Sequence, residues 1–238
     1  MVRLTLVCTP PLKALLETVT GVDLVVTDAS SVLDHDHWSF PLSLPLNFGT
    51  TLESIPNVIP YINTKSAWIE RWRERVPASG FKVGLLWKGN SNHKNDAKRS
   101  LPGLSTLFPL WSVLGTTFIS LQKGEAEDEA KLLPQDQPII PLGSAIEDFT
   151  DTAAIVTQLD LVICVDTALA HVAGALGKPC WILLPAYGTD WRWLQERTDS
   201  PWYPGVLRLF RQTPGENWND VVARVAVAMR QTQQLRRK

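Results

Sequence analysis

The apolar positions of this chain fall into eight short runs separated by amphipathic or polar stretches, a pattern that predicts an α/β fold. VRLTLVC at 2–8 and VDLVVT at 22–27 read as strands rich in apolar and β-branched residues. Between them, PPLKALLETV places proline near the start of a short helix and Gly21 just past its end. That succession is a βαβ unit of a parallel sheet. Residues 28–62 show no period and hold prolines at 41, 45, 56 and 60. A helix with Trp68, Ile69, Trp72 and Val76 on one face is expected over about 64–76, and Pro77, Ser79 and Gly80 mark a boundary. From Phe81 the alternation becomes regular. Strands are expected at 81–87, 116–121, 138–140, 159–165, 179–184 and 206–210, with helical runs near 103–114, 125–133, 151–158, 167–176 and 190–196. A last helix over 217–235 carries Trp218, Val221, Val222, Val225 and Met229 at helical spacing. Near-continuous apolar strands alternating with amphipathic segments describe a doubly wound parallel sheet. The expected organisation is a partial α/β domain at 1–80 followed by a complete one at 81–238.

Charge and composition narrow the function. With 23 Lys+Arg against 24 Asp+Glu, the chain has no bulk positive charge for nucleic acid. The basic residues Arg230, Arg236, Arg237 and Lys238 end the last helix and read as a solvated helix terminus. Asp166, His171 and Lys178 interrupt the most apolar stretch, so no membrane span is expected there, and the N-terminus lacks a basic-then-apolar signal. Cys8, Cys164 and Cys180 have no CxxC spacing, and two of them lie in strand-like runs; buried reduced thiols in a cytoplasmic protein fit best. Ten tryptophans are unusual, and Trp191, Trp193 and Trp202 cluster in loop-like sequence, where a pocket wall competes with core packing as their role.

Ligands of open parallel sheets bind beyond the carboxyl ends of the strands, so the chemistry is sought there. Asp166-Thr167-Ala168-Leu169-Ala170-His171 follows the strand at 159–165 and opens a helix. The first-turn amides of a helix lack intrahelical partners and, with the helix dipole, suit a phosphate. Asp166 and Thr167 can cap the helix or bond a sugar or phosphate, and His171 can add a donor. After the strand at 81–87 comes a polar, cationic loop, Lys88 to Ser100, in which Asn90 and Lys94, with Lys88 or Arg99, suit a diphosphate. Gln122-Lys123-Gly124 follows the strand at 116–121. Asp34-His35-Asp36-His37 resembles a metal cluster but sits in irregular sequence, so no metal site is expected. The acidic run Glu125–Glu129 is read as the first turn of a helix. No GxGxxG follows any strand, which argues against a dinucleotide-dependent oxidoreductase.

The run VGLLWKGNSNHKNDAKRSLP, then FISLQKG, then DFTDTAAIVTQLDLVICVDTALAHVAGALGKPCWILLPAYGTDWRW, then SPWYPGVLRLFRQ resembles the heptosyltransferase-like glycosyltransferase family nine, in a form often fused behind tetratricopeptide repeats. The resemblance covers about 81–238, and PLSLPLNFGTTLESIPNVIPYI at 41–62 resembles that family's interdomain region. It implies two facing Rossmann-like domains (the GT-B type), of which 81–238 is the C-terminal, nucleotide-sugar-binding one. The family's D-T-[GA]-x-x-H element falls on Asp166, Thr167, Ala168 and His171 and implies binding of the nucleotide-sugar diphosphate. Ala168 stands where many members have glycine. Lys94 matches the lysine of the family's first polar loop, and Gln122 and Lys123 resemble residues lining the nucleotide. The family's first domain opens with a strand, a glycine-rich loop and an acidic residue proposed as the base; this sequence is expected to start after that point.

The expectation is therefore a metal-independent glycosyltransferase, or its donor-binding portion, moving a sugar from a nucleoside-diphosphate sugar to an acceptor hydroxyl, with no other cofactor. Its partners would be the nucleotide sugar and a glycan, lipid-linked or protein acceptor, with self-association or a partner supplying the missing domain, in the cytoplasm or peripheral at the inner membrane. The alternative is a truncated, non-catalytic nucleotide-binding or protein-interaction module.

Overall fold

The computed structural model describes residues 3–32, 34–134 and 136–236. Its main body is a six-stranded sheet of β3 (Phe81–Leu86), β4 (Thr116–Ser120), β5 (Ile139–Pro141), β6 (Leu161–Val165), β7 (Cys180–Leu184) and β8 (Leu207–Arg211). All five pairings are parallel and the spatial order is β5-β4-β3-β6-β7-β8. The chain runs outward from β3 in one direction, then returns past it to β6 and continues in the other. The order thus reverses between β3 and β6, and the crevice above that switch point is where such sheets take ligands.

Every residue of β6 and of β7 is buried, as expected of strands covered on both faces. One face carries α3 (Ser66–Trp72), α5 (Phe149–Thr157) and α6 (Ala168–Ala175), with Trp72, Ile155, Ile182 and Trp193 in its core. The other carries the segment Leu104–Ser112 and α7 (Trp218–Arg236), with Leu107, Leu110, Val221, Val225 and Met229.

All eight expected strands form, within two residues of their expected limits at most ends. The helices depart more. Leu104–Ser112 is a 3-10 helix with Pro109 inside it, whose ring in an α-helix would clash with the carbonyl four residues back. Glu127–Lys131 is also 3-10 and one turn long. Near 190–196 only Trp191–Trp193 is helical, since Leu194 turns to φ 51°. Conversely, α5 starts two residues before its expected limit because Asp148 caps it, accepting from the amides of Thr150 (2.7 Å) and Asp151 (3.3 Å).

In the first eighty residues, β1 (Thr5–Val7) and β2 (Leu24–Val26) form a separate parallel pair joined through α1 (Lys13–Leu16). Helix α2 (Leu44–Asn47) sits in the proline-rich stretch, where Trp38, Phe40, Leu46 and Phe48 are exposed. Trp72 of α3 is buried against the main body and its indole N–H donates to Asp151 Oδ1 of α5 at 2.9 Å. This piece is therefore anchored to the main body through α3, with Leu15 of α1 and Ile62 in the same core and the Tyr61 amide donating to the Ala175 carbonyl at 3.0 Å.

Cys164 and Cys180 are buried on neighbouring strands with sulfurs 3.7 Å apart as free thiols, and the contact with Cys180, then burial, push the Cys164 thiol up. In the basic terminus, Arg236 binds Asp160 at 2.7 Å and covers the Phe81 ring, and Arg230 binds Ser112, so both fold back on the protein. Arg237 and Lys238 lie outside the described residues. Among the described residues no helix is long and apolar enough to cross a membrane.

Candidate functional site

A cleft of about 820 Å³ opens at the carboxyl ends of β3, β4 and β6, over the switch point. Its walls are the loops after β3 and β4, the segment Ile146–Phe149 before and into α5, and Thr167, Ala168 and Leu169 at the start of α6.

The loop after β3 contains α4 (Asp96–Arg99). Arg99 turns inward: its Nε meets Asp96 Oδ1 at 3.3 Å and its Nη1 donates to the Asp166 carbonyl at 3.1 Å. One guanidinium thus ties the β3 loop to the end of β6 across the switch point. Gly89 makes this possible, because a Cβ there would lie 2.7 Å from both Arg99 Nη2 and Asp96 Oδ1. The Gly89 amide donates to Ser100 Oγ, which itself donates to Asp96, each at 2.8 Å.

Gln122 is the second brace. Its buried amide oxygen accepts from the Trp87 and Lys88 N–H groups (3.1 and 2.9 Å). Its nitrogen donates to the Lys88 and Lys123 carbonyls (3.2 and 3.1 Å). Those four bonds use up the hydrogen-bonding capacity of a side-chain amide. Gln122 therefore lines the cleft as a positioning residue, holding Lys88 in place. The neighbouring carboxylate of Glu129 accepts from the Trp87 indole N–H (3.1 Å) and the Leu104 amide (2.6 Å), with Lys88 Nζ 3.7 Å away.

Thr167 is the N-cap of α6, with extended backbone and no capping bond from its side chain. Its buried hydroxyl makes no regular hydrogen bond and has the Cys164 thiol as its polar neighbour. The start of α6 consequently presents first-turn amides to the cleft without a side-chain cap.

Of the residues singled out by sequence, Asn90, Gln122, Lys123, Thr167 and Ala168 line this cleft. Lys123 donates to the Ile146 carbonyl, fastening the β4 loop to the segment before α5. Lys94 is exposed on the outer part of the β3 loop and does not line the cleft. Asp166 contributes its carbonyl to Arg99, and its side chain stands off the lining. His171 faces a second, smaller pocket, where it stacks on Trp193 at 5.0 Å between ring centres and 17° between planes. Its Nδ1 is 3.1 Å from the Tyr203 hydroxyl. The segment Ile146–Phe149 also lines the cleft and was given no site role from the sequence, although Asp148 and Phe149 open one of the runs that carry the resemblance; the local signal was Asp148, followed by Thr150 and Asp151, as a helix cap.

Burial, aided by the Arg192 charge, pushes the His171 imidazole below its ordinary value despite Asp166 and Asp190 nearby. Burial likewise raises the Tyr203 phenol, which keeps its proton. A histidine held neutral in the fold but free to charge when unfolded stabilises fully above about pH 6.5. That stabilisation declines as pH falls from there through the folded-state value. The melting temperature should therefore drop below about pH 6.5, and His171→Gln should flatten that part of the profile. An unchanged slope in the variant would refute the assignment.

Comparison with known proteins agrees with this architecture. Residues 124–185 match glycosyltransferase family 9 (heptosyltransferase). Protein FlbA of Caulobacter vibrioides is 29% identical over 206 residues, which are 82% of this chain and 33% of that protein. The structure of E. coli ADP-heptose lps heptosyltransferase II superposes with a TM-score of 0.55 at 14% identity, covering 85% of this chain and 65% of the other. The chain thus spans about a third of the length of the curated relative and under two thirds of the solved enzyme. At that identity the superposition speaks for the fold, and the matched segment, which runs from the β4 loop through β7, speaks for the family. The family resemblance read from the sequence is borne out to this extent: residues 124–185 match glycosyltransferase family 9 (heptosyltransferase), and the α/β fold is similar to that of a solved heptosyltransferase.

Proposed function

We propose that this chain is the donor-binding part of a glycosyltransferase that moves a sugar from a nucleoside-diphosphate sugar to an acceptor hydroxyl. The observation that carries this reading is the convergence, over one switch-point cleft, of the uncapped start of α6 with the cationic side chains of Lys88, Arg99 and Lys123. Four carboxylates share the lining, so the cleft is not uniformly positive. Asp96 is engaged by Arg99 and Asp148 as the cap of α5, while Glu147 pairs with Arg71 at 3.4 Å and Glu125 accepts from the Ser91 hydroxyl at 3.5 Å. Glu125 and Glu147 are exposed at the rim, where a carboxylate suits ribose hydroxyls. Phe149 offers an apolar surface to a base.

In this reading the bond from the anomeric carbon to the diphosphate breaks as the acceptor oxygen attacks. The electron pair leaves with the diphosphate, whose growing charge is met by the α6 amides and Arg99, without a metal. Preorganised donors of this kind contribute most where charge develops. Lys94, exposed on the outer part of the same loop, adds only a screened charge. In this reading the proton of the acceptor hydroxyl goes to a carboxylate base, which none of the described residues before 81 supplies to the cleft.

A thermal-shift and calorimetric screen against nucleoside diphosphates tests the proposal. One of them should stabilise the protein selectively. Arg99→Ala should weaken it by about 10–100-fold, the loss of one or two charge-assisted bonds. Arg99→Lys should restore only part, since it keeps the charge but not the fork. Lys94→Ala should cost less than about tenfold, because an exposed charge is screened. No response of the wild type to any nucleoside diphosphate would overturn the reading.

A second reading, a binding module without catalysis, is favoured by one observation. Of the described residues before 81, only Pro11 lines the cleft, so the acceptor side is nearly bare in this chain. Sugar transfer or donor hydrolysis by the isolated chain would refute that reading.

A further inference from the structure

The tryptophan cluster is not used by the cleft. It lines the second pocket, about 210 Å³, where His171, Trp191, Arg192, Trp193, Trp202 and Tyr203 meet Pro41, Leu42 and Pro45 of the proline-rich stretch. Apart from His171, its lining residues lie outside the segment 124–185 matched to the family.

The walls define what fits. Trp191 and Trp202 stand edge to face, with centres 5.8 Å apart at 82°, and form a corner with one indole 54% exposed. The Asp190 carboxylate holds Arg192 through Nε and Nη2 at 2.8 and 2.9 Å. That pair is internally neutral, yet Nη1 makes no bond among the described residues and remains a donor. His171 is held uncharged by burial. If Tyr203 donates to its Nδ1, the imidazole proton lies on Nε2. Aromatic faces with neutral polar groups suit an uncharged polyol and give an anion no net attraction. The volume is below the roughly 300–1,000 Å³ of drug-sized sites, which suits one sugar ring. Indole faces take the C–H side of such a ring while the rim meets its hydroxyls.

Position links the two sites. His171 lies four residues after Thr167 on α6, about 6 Å along the axis, so the helix that starts in the cleft forms the wall of the pocket. We propose that this aromatic pocket binds a neutral pyranose ring, supplied either by the donor sugar or by a sugar of the acceptor. The second clause rests on the donor reading of the cleft; the pocket's chemistry does not.

The experiment is calorimetric titration of the full chain and of Trp191→Ala, a half-exposed position where alanine is tolerated. Probes are nucleoside diphosphates, their hexose, N-acetylhexosamine and heptose conjugates, and methyl glycosides of the same sugars. If the donor sugar occupies the pocket, Trp191→Ala loses a tenfold or greater advantage of a conjugate over its parent diphosphate and leaves the diphosphate Kd unchanged. If an acceptor sugar does, the variant loses glycoside binding and keeps conjugate affinity. Wild-type Kd values for every probe in the variant would overturn the proposal. Trp191-dependent glycoside binding without any diphosphate binding would sustain the pocket and overturn the cleft reading. A wild type that binds no probe would overturn both.

Discussion

Gly143→Ala will lower stability by about 3 kcal/mol or more, the upper range for overpacking in a core, and will close the cleft to ligand. A Cβ at this position would lie 1.8 Å from the Gln122 carbonyl oxygen, and that oxygen belongs to backbone with no rotamer by which to escape. Either the β4 loop or the segment before α5 must move by more than an ångström. Both are pinned: the Leu142 amide donates to the Ser120 carbonyl at 3.1 Å, and Lys123 reaches the Ile146 carbonyl. The displacement therefore reaches the two loops that form one wall of the cleft. For a chain of this size, such a loss lowers the melting temperature by roughly 6–12 °C. Thermal unfolding and diphosphate titration of the variant check both halves. A melting temperature within roughly 2 °C of wild type, a shift of under about 1 kcal/mol, would show that the contact relaxes freely.

The same crowding explains what the sequence could and could not disclose. Strands β6 and β7 were the most legible because both faces are buried, which leaves short continuous apolar runs. The strand-end rule then pointed to the loops after β3, β4 and β6, and those loops do line the cleft. Which cation of the β3 loop turns inward was not legible. That is decided by the Asp166 carbonyl, 67 residues away, a partner that spacing within the loop cannot reveal. Lys94 and Arg99 look alike as charges in a polar run, and only the fold distinguishes the exposed one from the anchored one.

His171 illustrates the opposite error of scale. Its place on α6 was legible and its surroundings were not, because Trp193 and Tyr203 come from a later loop that departs from helix at Leu194. The aromatic cluster read from composition and the histidine read from its motif turn out to be one feature. Gln122 was read by resemblance as a residue lining the nucleotide. The structure places it on the lining with its amide fully committed to backbone.

That commitment makes Gln122 the second position where a large effect is expected. Gln122→Leu keeps the volume but strands the Trp87 and Lys88 amides and the Lys88 and Lys123 carbonyls. Each group buried without a partner costs about 1–3 kcal/mol, and the Trp87 side of the site is closed to water. A total loss of about 2–5 kcal/mol follows, allowing for partial relaxation. Diphosphate affinity should fall as well, since Lys88 loses its anchor. Gln122→Glu separates bracing from ligand contact. Its carboxylate still accepts from both amides but faces two carbonyls with no hydrogen to offer. A proton on the distal oxygen restores that bond, so the folded state favours the protonated acid and raises its pKa above the unfolded value. The stabilisation is then present below the ordinary carboxylate range and is lost as pH rises through the folded-state value. Thermal unfolding of Gln122→Glu across acid to neutral pH should thus slope downward relative to wild type. A parallel profile, combined with weakened diphosphate binding, would mean that the amide acts on ligand rather than on the loop.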